Sequence, residues 1–227
     1  MNNLFRFSDY DIFANIMAGL GVIFAVDVIA GTSFLIGATW TVSDATVTVL
    51  CAYVLGHLVA SPSSLLLEKG LVGKVLRPPG EVLMSEVALD DRAWWRRRLL
   101  RAYHTPLRPH QRQAVRDRAD GAEGADLFWK AHAVAQRDPV RYPRMQRFLN
   151  LYGFCRNLGF VALTAWLCVI APQILDPRHR PIADEALWTV GFLVIGLVLL
   201  QRYLMFHRLY TVEAFVAFAD APPEGGS

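Results

Sequence analysis

Apolar residues along this chain fall in four long blocks, two before residue 68 and two after residue 150, separated by a polar, basic stretch. The first block, Ile12 to Gly37, is long enough to cross a bilayer, which takes about 20 residues at 1.5 Å of rise each. Its single charge is Asp27. We read it as a transmembrane helix over 12–37 that is retained. A secretory leader has a basic start and a shorter apolar core, whereas here Arg6 is offset by Asp9 and Asp11. The second block, 46–67, carries His57, and it holds Pro62 inside the small-residue patch Ala60 to Ser64, where a kink is expected. The third covers 151–175 with Arg156 near its start. The fourth covers 186–206 with Gln201 and Arg202 near its end.

The pattern predicts an all-α, polytopic membrane protein: four transmembrane helices, with a small helical insert on the cytoplasmic side between the second and third. Residues 1–67 form one hairpin and 68–150 the insert. Residues 151–219 form a second hairpin whose last helix continues as a cytoplasmic extension, and 220–227 are expected to be a disordered tail.

Composition agrees with that division. The chain is 54% hydrophobic and 19% charged, against about 45–50% and a quarter in ordinary soluble domains, and this excludes a disordered or collagen-like chain. The net charge of +3 conceals a strong asymmetry, because 17 of the 23 Lys and Arg residues lie between Leu67 and Asn150, beside 10 acidic ones. The loop 38–45 has no basic residue and the loop 176–185 only Arg178 and Arg180. Loops rich in Lys and Arg stay in the cytoplasm, so the insert and both termini are expected there, in an inner membrane. Trp40 and Trp188 then mark the opposite interface. The same bias accounts for most of the basic charge without nucleic acid, and direct nucleic-acid binding is not expected.

Within the insert, residues 81–89 suit a short strand or a helical turn, and 110–119 and 126–136 suit helices separated by a Gly-containing turn. Asp126 is the expected cap of the latter, and Leu127, Phe128, Ala131, Val134 and Ala135 its apolar face. The stretch Asp91 to Tyr103 reads as a basic helix. Arg97, Arg98 and Arg101 share one arc and Trp95, Leu99 and Tyr103 another, as suits an anionic leaflet or, more plainly, a packed core. From Pro143 the pattern runs without a break into the third membrane helix.

Asp27 and His57 stand out inside apolar blocks, where an ionisable group is costly. Each lies near the middle of its predicted helix, so a contact across the hairpin is expected, either as an ion or proton relay or simply as a register-fixing hydrogen bond. A second set, Arg156, Asn157, Arg202, His207, Arg208 and Glu213, gathers at the expected cytoplasmic ends of the third and fourth helices. It suits a phosphate, another anion or a partner's carboxylate, with headgroup anchoring the plainer alternative. Gly153 and Gly159 flank Arg156 and Asn157 and would permit close helix approach. Cys51, Cys155 and Cys168 have no clip spacing and no disulfide is expected. The sequence has no HExxH, GxSxG, Walker or dinucleotide signature, so no catalytic residue, metal or cofactor is expected.

The function these observations favour is a non-enzymatic membrane component in contact with the lipid bilayer. We expect it to be homo-oligomeric, with an insert and C-terminal helix that bind a soluble cytoplasmic protein or an anionic signal and couple it to the membrane, as in a defence or stress response. The rivals are an oligomeric pore or small transporter using Asp27 and His57, and an enzyme acting on lipid-linked phosphates.

Overall fold

The computed structural model describes residues 9–37, 39–86, 103–175 and 183–221. Among these every regular element is helical, and four helices are long and apolar enough to cross a membrane. The chain divides into two compact units, Met1–Leu71 with Gly153–Tyr203, and Val72–Tyr152 with Leu204–Ser227. We refer to them as the apolar and the polar unit.

The apolar unit begins with α1 (Asp9–Ala30), followed by a single turn, α2 (Phe34–Gly37), and α3 (Val42–Ser63). The first span is thus shorter than the expected 12–37. Gly31 takes φ +65 and Ser33 φ 51, left-handed backbone that cannot continue a helix. The second span starts earlier than expected, at Val42. Thr41 accepts from the Asp44 N–H while the Asp44 carboxylate accepts from the Thr41 N–H, a reciprocal cap. Pro62 does not break this helix, and the chain passes directly into a π-helical segment, Ser64–Leu76. The wider hydrogen-bond spacing there follows Pro62, which has no N–H to donate, and the Ser63 hydroxyl oxygen lies 2.9 Å from the Ala60 carbonyl.

Close packing of α1 on α3 sets the register of the hairpin. A Cβ on Gly19 would lie 1.7 Å from the Ala52 carbonyl oxygen, and one on Gly56 1.9 Å from that of Asn15. Glycine is required at both contacts, since the two backbones touch. Gly159 and Gly196 bring the two long helices α7 (Arg141–Leu175) and α8 (Ala183–Asp220) together, against Leu199 and Leu163 respectively. Gly153 meets nothing within 4 Å, so of the two glycines expected to allow close approach only Gly159 does so. Near the far end of α1, Ala25, Ala165 and Phe192 form a small buried cluster, with Trp188 edge-on to Phe24 at 5.4 Å.

The polar unit holds α4 (Pro79–Met84), α5 (Pro109–Ala119) and α6 (Gly124–Ala135), together with the start of α7 and the end of α8. Pro79 and Pro109 open α4 and α5, where a missing N–H costs nothing. Of the expected short element at 81–89, residues 81–84 are helical, in a helix begun two residues earlier by Pro79, and 87–89 lie outside the described residues. The N-cap position of α6 is Glu123, which makes no side-chain cap bond, and Asp126 lies further in, within the first turn. The expected apolar face of α6 is the observed one: Leu127, Ala131 and Ala135 are buried, with Phe128 and Val134 packed beside them. Their partners in the core include Leu83, Val115, Met145 and Phe215. Asp138 opens α7 by accepting from the N–H groups of Val140 and Arg141 at 2.8 and 2.9 Å, and these bonds hold its carboxyl below the usual range. The basic stretch with Trp95, Arg97, Arg98 and Arg101, and the expected tail beyond Ala221, lie outside the described residues.

Candidate functional site

The expected meeting of Asp27 with His57 does not occur. The hairpin is antiparallel with residue 19 against 52 and 15 against 56, so Asp27 lies level with the start of α3 and His57 level with the start of α1. That offset is roughly 13 residues, or about 20 Å at 1.5 Å per residue. The cause is the early end of α1, which puts Asp27 in its last turn. The Asp27 carboxylate is buried and occupied: it accepts from the Thr32 hydroxyl and from the N–H groups of Phe34 at 2.6 Å and Leu35 at 2.9 Å. It acts as a cap that fastens the turn after α1 to α2. His57 is exposed, packs edge-on against Tyr53 at 4.6 Å, and has Asn15 Nδ2 3.5 Å from its Nε2. Neither geometry lines a path.

The residues expected at the cytoplasmic mouth divide between the units. In the apolar unit Arg156 pairs with Glu68 of the π-helical segment, and its Nε donates to the Asn157 side-chain oxygen at 3.1 Å. That oxygen also accepts from the fully buried Ser63 hydroxyl at 2.7 Å, and Ser64 donates to the second oxygen of Glu68 at 2.8 Å. The result is a closed network joining the π-helical segment to α7, in which the guanidinium already has its counter-ion. Sequence reasoning singled out Arg156 and Asn157 and missed Glu68, Ser63 and Ser64. The available signal was a lone acid and a lone base, each at the edge of an apolar block, which a low-dielectric surrounding favours as a pair. Arg202 is exposed on α8.

In the polar unit the pattern differs. Glu213 pairs with Arg144 at 3.3 Å, Arg116 with Glu86 at 2.8 Å, and Arg141 with Asp138 and Asp220 at 3.5 and 2.5 Å. Arg208 has no carboxylate partner among the described residues. Its Nη2 donates to the Thr105 carbonyl at 2.9 Å, and its Nε–H is buried with no acceptor among the described residues. His207, the preceding residue on α8, lies against the Tyr152 ring at 4.9 Å. Nearby in sequence, Tyr103 is buried and donates to the Arg77 carbonyl at 2.8 Å, and burial pushes its phenol well above the ordinary value. An uncompensated guanidinium with an open N–H is equipped to receive an anion.

The polar unit also contains a groove of about 840 Å³ at the ends of α5, α6 and α8, whose basic residues had no distinguishing signal in a segment already rich in Arg. Among the described residues no three His, Cys, Asp or Glu side chains gather as a metal site would need, and all three cysteines are free. No protein-family model, curated protein or solved structure matches this chain.

Proposed function

We propose that this is a multi-pass inner-membrane protein, assembled in several copies, whose polar unit faces the cytoplasm and binds a soluble partner or anionic signal that it couples to the membrane. The carrying observation is Arg208, whose buried Nε–H has no acceptor and which has no carboxylate partner among the described residues, whereas Arg116, Arg141 and Arg144 are paired with acids. A binding site needs a charge not already spent within the fold. Coupling would run through α7 and α8, since each contributes residues to both units without a break in the helix. The placement of polar unit and termini on the cytoplasmic side rests on the Lys and Arg asymmetry of the sequence. The pore reading has less support, because Asp27 is consumed as a cap and His57 lies at the other end of the hairpin.

Two measurements test this. In a cysteine-free background, Arg137→Cys and Ala221→Cys should react with a membrane-impermeant maleimide from one side of the membrane and Thr39→Cys from the other, and labelling of all three from one side would overturn the topology. A photo-crosslinking residue placed at Thr105 in the full chain, in cells, should give an adduct that Arg208→Ala removes and Arg144→Ala does not. Absence of any adduct, or one indifferent to Arg208, would overturn the binding reading.

A further inference from the structure

The groove in the polar unit gathers the last turns of α5, α6 and α8 and the first residue of α7. Helix C-termini present unpaired carbonyls and attract cations, and two of the lining cations answer that need. Arg118 donates to the Phe218 carbonyl at 2.9 Å, and Lys130 to the Ala119 carbonyl at 3.0 Å. Each spends only part of its capacity, since a guanidinium has five N–H donors and an ammonium three.

The acids of the groove are unevenly shared. Arg141 holds both Asp138 and Asp220. Asp120 stands 3.9 Å from Lys130 and is almost wholly exposed. Arg118 is therefore left with a carbonyl and no carboxylate, Lys130 with a loose, solvated pair, and Arg137 with no partner among the described residues. These three cations share the lining with an apolar patch made by Val134, Ala217 and Phe218. The volume falls in the range of about 300–1,000 Å³ usual for small-ligand sites, which are likewise mostly apolar with a few directing polar groups.

We infer that this groove binds an organic phosphate of about nucleotide size, with its phosphate held by Arg137, Lys130 and Arg118 and its planar or apolar body lying on Val134 and Phe218. Arginine forks match phosphate oxygens in pairs, and an apolar patch beside them rewards a ligand that carries more than the phosphate. The site is separate from Arg208 and goes beyond the reading given above. A soluble nucleotide and the head of a short phospholipid share this chemistry.

The test uses the full chain purified in detergent, with two probes: a fluorescent ATP analogue followed by anisotropy, and short-chain phosphatidic acid followed by calorimetry. Saturable binding of either is expected, the probe that binds identifying the source. The double variant Arg137→Ala with Lys130→Ala should weaken binding at least tenfold, while Arg208→Ala leaves it unchanged, so that this site and the Arg208 reading stand or fall apart. Val134→Trp, which fills the groove without touching a cation, should weaken it as well, and melting temperatures will confirm that each variant is folded. Inorganic pyrophosphate should compete at least tenfold less well than the organic probe. Binding of neither probe, binding indifferent to Arg137, Lys130 and Val134, or equal competition by pyrophosphate would each overturn the inference.

Discussion

The two units solve the same packing problem in opposite directions. In the polar unit Leu83, Met145 and Phe215 are fully buried, side chains such as Phe128, Phe148 and Leu149 are partly buried against the core, and among the described residues the exposed large apolar side chains are Val75, Trp129 and Val140. In the apolar unit the contact between α1 and α3 is made of small residues, Ala18, Gly19, Ala52 and Gly56, and Phe192 and Tyr203 are buried elsewhere in the unit, while Phe13, Leu58, Leu187 and Val190 stand outside. Water cannot be the solvent of both surfaces. A lipid chain is as apolar as leucine, so burying leucine gains little there, and helices associate through close backbone approach at small residues. The inversion distinguishes a membrane unit from a soluble one more sharply than apolar length does, because length alone also describes a buried helix of a large soluble protein.

The strongest way to break this contrast is to truncate one large side chain in each unit. Phe215→Ala, in the polar core, should cost about 3–5 kcal/mol, a fall in Tm of about 10 °C for a chain of this size. Leu58→Ala, on the outside of α3, should change Tm in detergent by no more than about 1–2 °C, the equivalent of about 0.5 kcal/mol. Equal losses would mean that Leu58 packs against protein and that the outer face of α3 is no lipid surface.

The next test exchanges the rule for small residues. Alanine favours a helix over glycine by about 1 kcal/mol, so Gly153→Ala, which meets open space, should be neutral or stabilising. Gly19→Ala would press its methyl group into the Ala52 main chain and should cost about 3 kcal/mol, the upper end for overpacking. A thermal melt in detergent reads both, and a stabilised Gly19→Ala would show that α1 and α3 are not held at backbone contact.

Ion pairs sharpen the same comparison with a smaller effect. The Glu68 and Arg156 side chains are mostly buried in the apolar unit, whereas those of Arg116 and Glu86 are well exposed in the polar one. Glu68→Gln should therefore cost about 2 kcal/mol, less than breaking a fully buried pair, and should do so at any salt concentration. Glu86→Gln should leave the melt unchanged at moderate salt, since exposed pairs contribute little and are screened. If 0.5 M salt erased the Glu68→Gln deficit, the pair would be solvated and the network with Ser63 and Asn157 would not be closed.

What the sequence made legible follows the same division. Apolar length announced four helices, and a period near 3.6 announced the α6 face, because both are local properties of one segment. Register was not local. That Gly19 meets Ala52 depends on where α1 stops, which Gly31 and Ser33 decide through left-handed backbone, and misplacing that stop moved Asp27 from the last turn to mid-helix and towards His57. The pairing of Glu68 with Arg156 joins residues 88 positions apart, and the π-helical segment that presents Glu68 has no composition of its own. In the polar unit Arg208 was legible as a candidate, but its lack of a carboxylate among the described residues appears only once Glu213 is seen to belong to Arg144.

The smallest expected effect concerns pH, and it separates the polar unit from the apolar one through a single histidine. His132 sits among Phe128, Trp129 and Tyr210, with ring centroids 5.6 to 6.1 Å away, and burial there disfavours its charged form and lowers its pKa from about 6.5. As pH falls through about 6.5 the unfolded chain takes up this proton first. Stability present above that pH is therefore lost progressively until the folded pKa is passed, after which the loss is constant. Asp138 acts in a different window. Its depressed pKa, caused by the Arg141 and Val140 N–H groups, adds stability above the ordinary aspartate value of about 3.9, which is lost only as pH falls from there through the folded pKa. A decline in Tm beginning near pH 6.5 therefore points to histidine, and His132→Phe, which keeps the ring packing and removes the proton, should flatten it. Fluorescence of Trp129, 61% exposed and 5.6 Å from that ring, gives a local readout of the same titration in the folded state. If the slope between pH 6.5 and 5 survived His132→Phe intact, the acid sensitivity would have to come from another group, and the aromatic surroundings of His132 would carry no electrostatic cost.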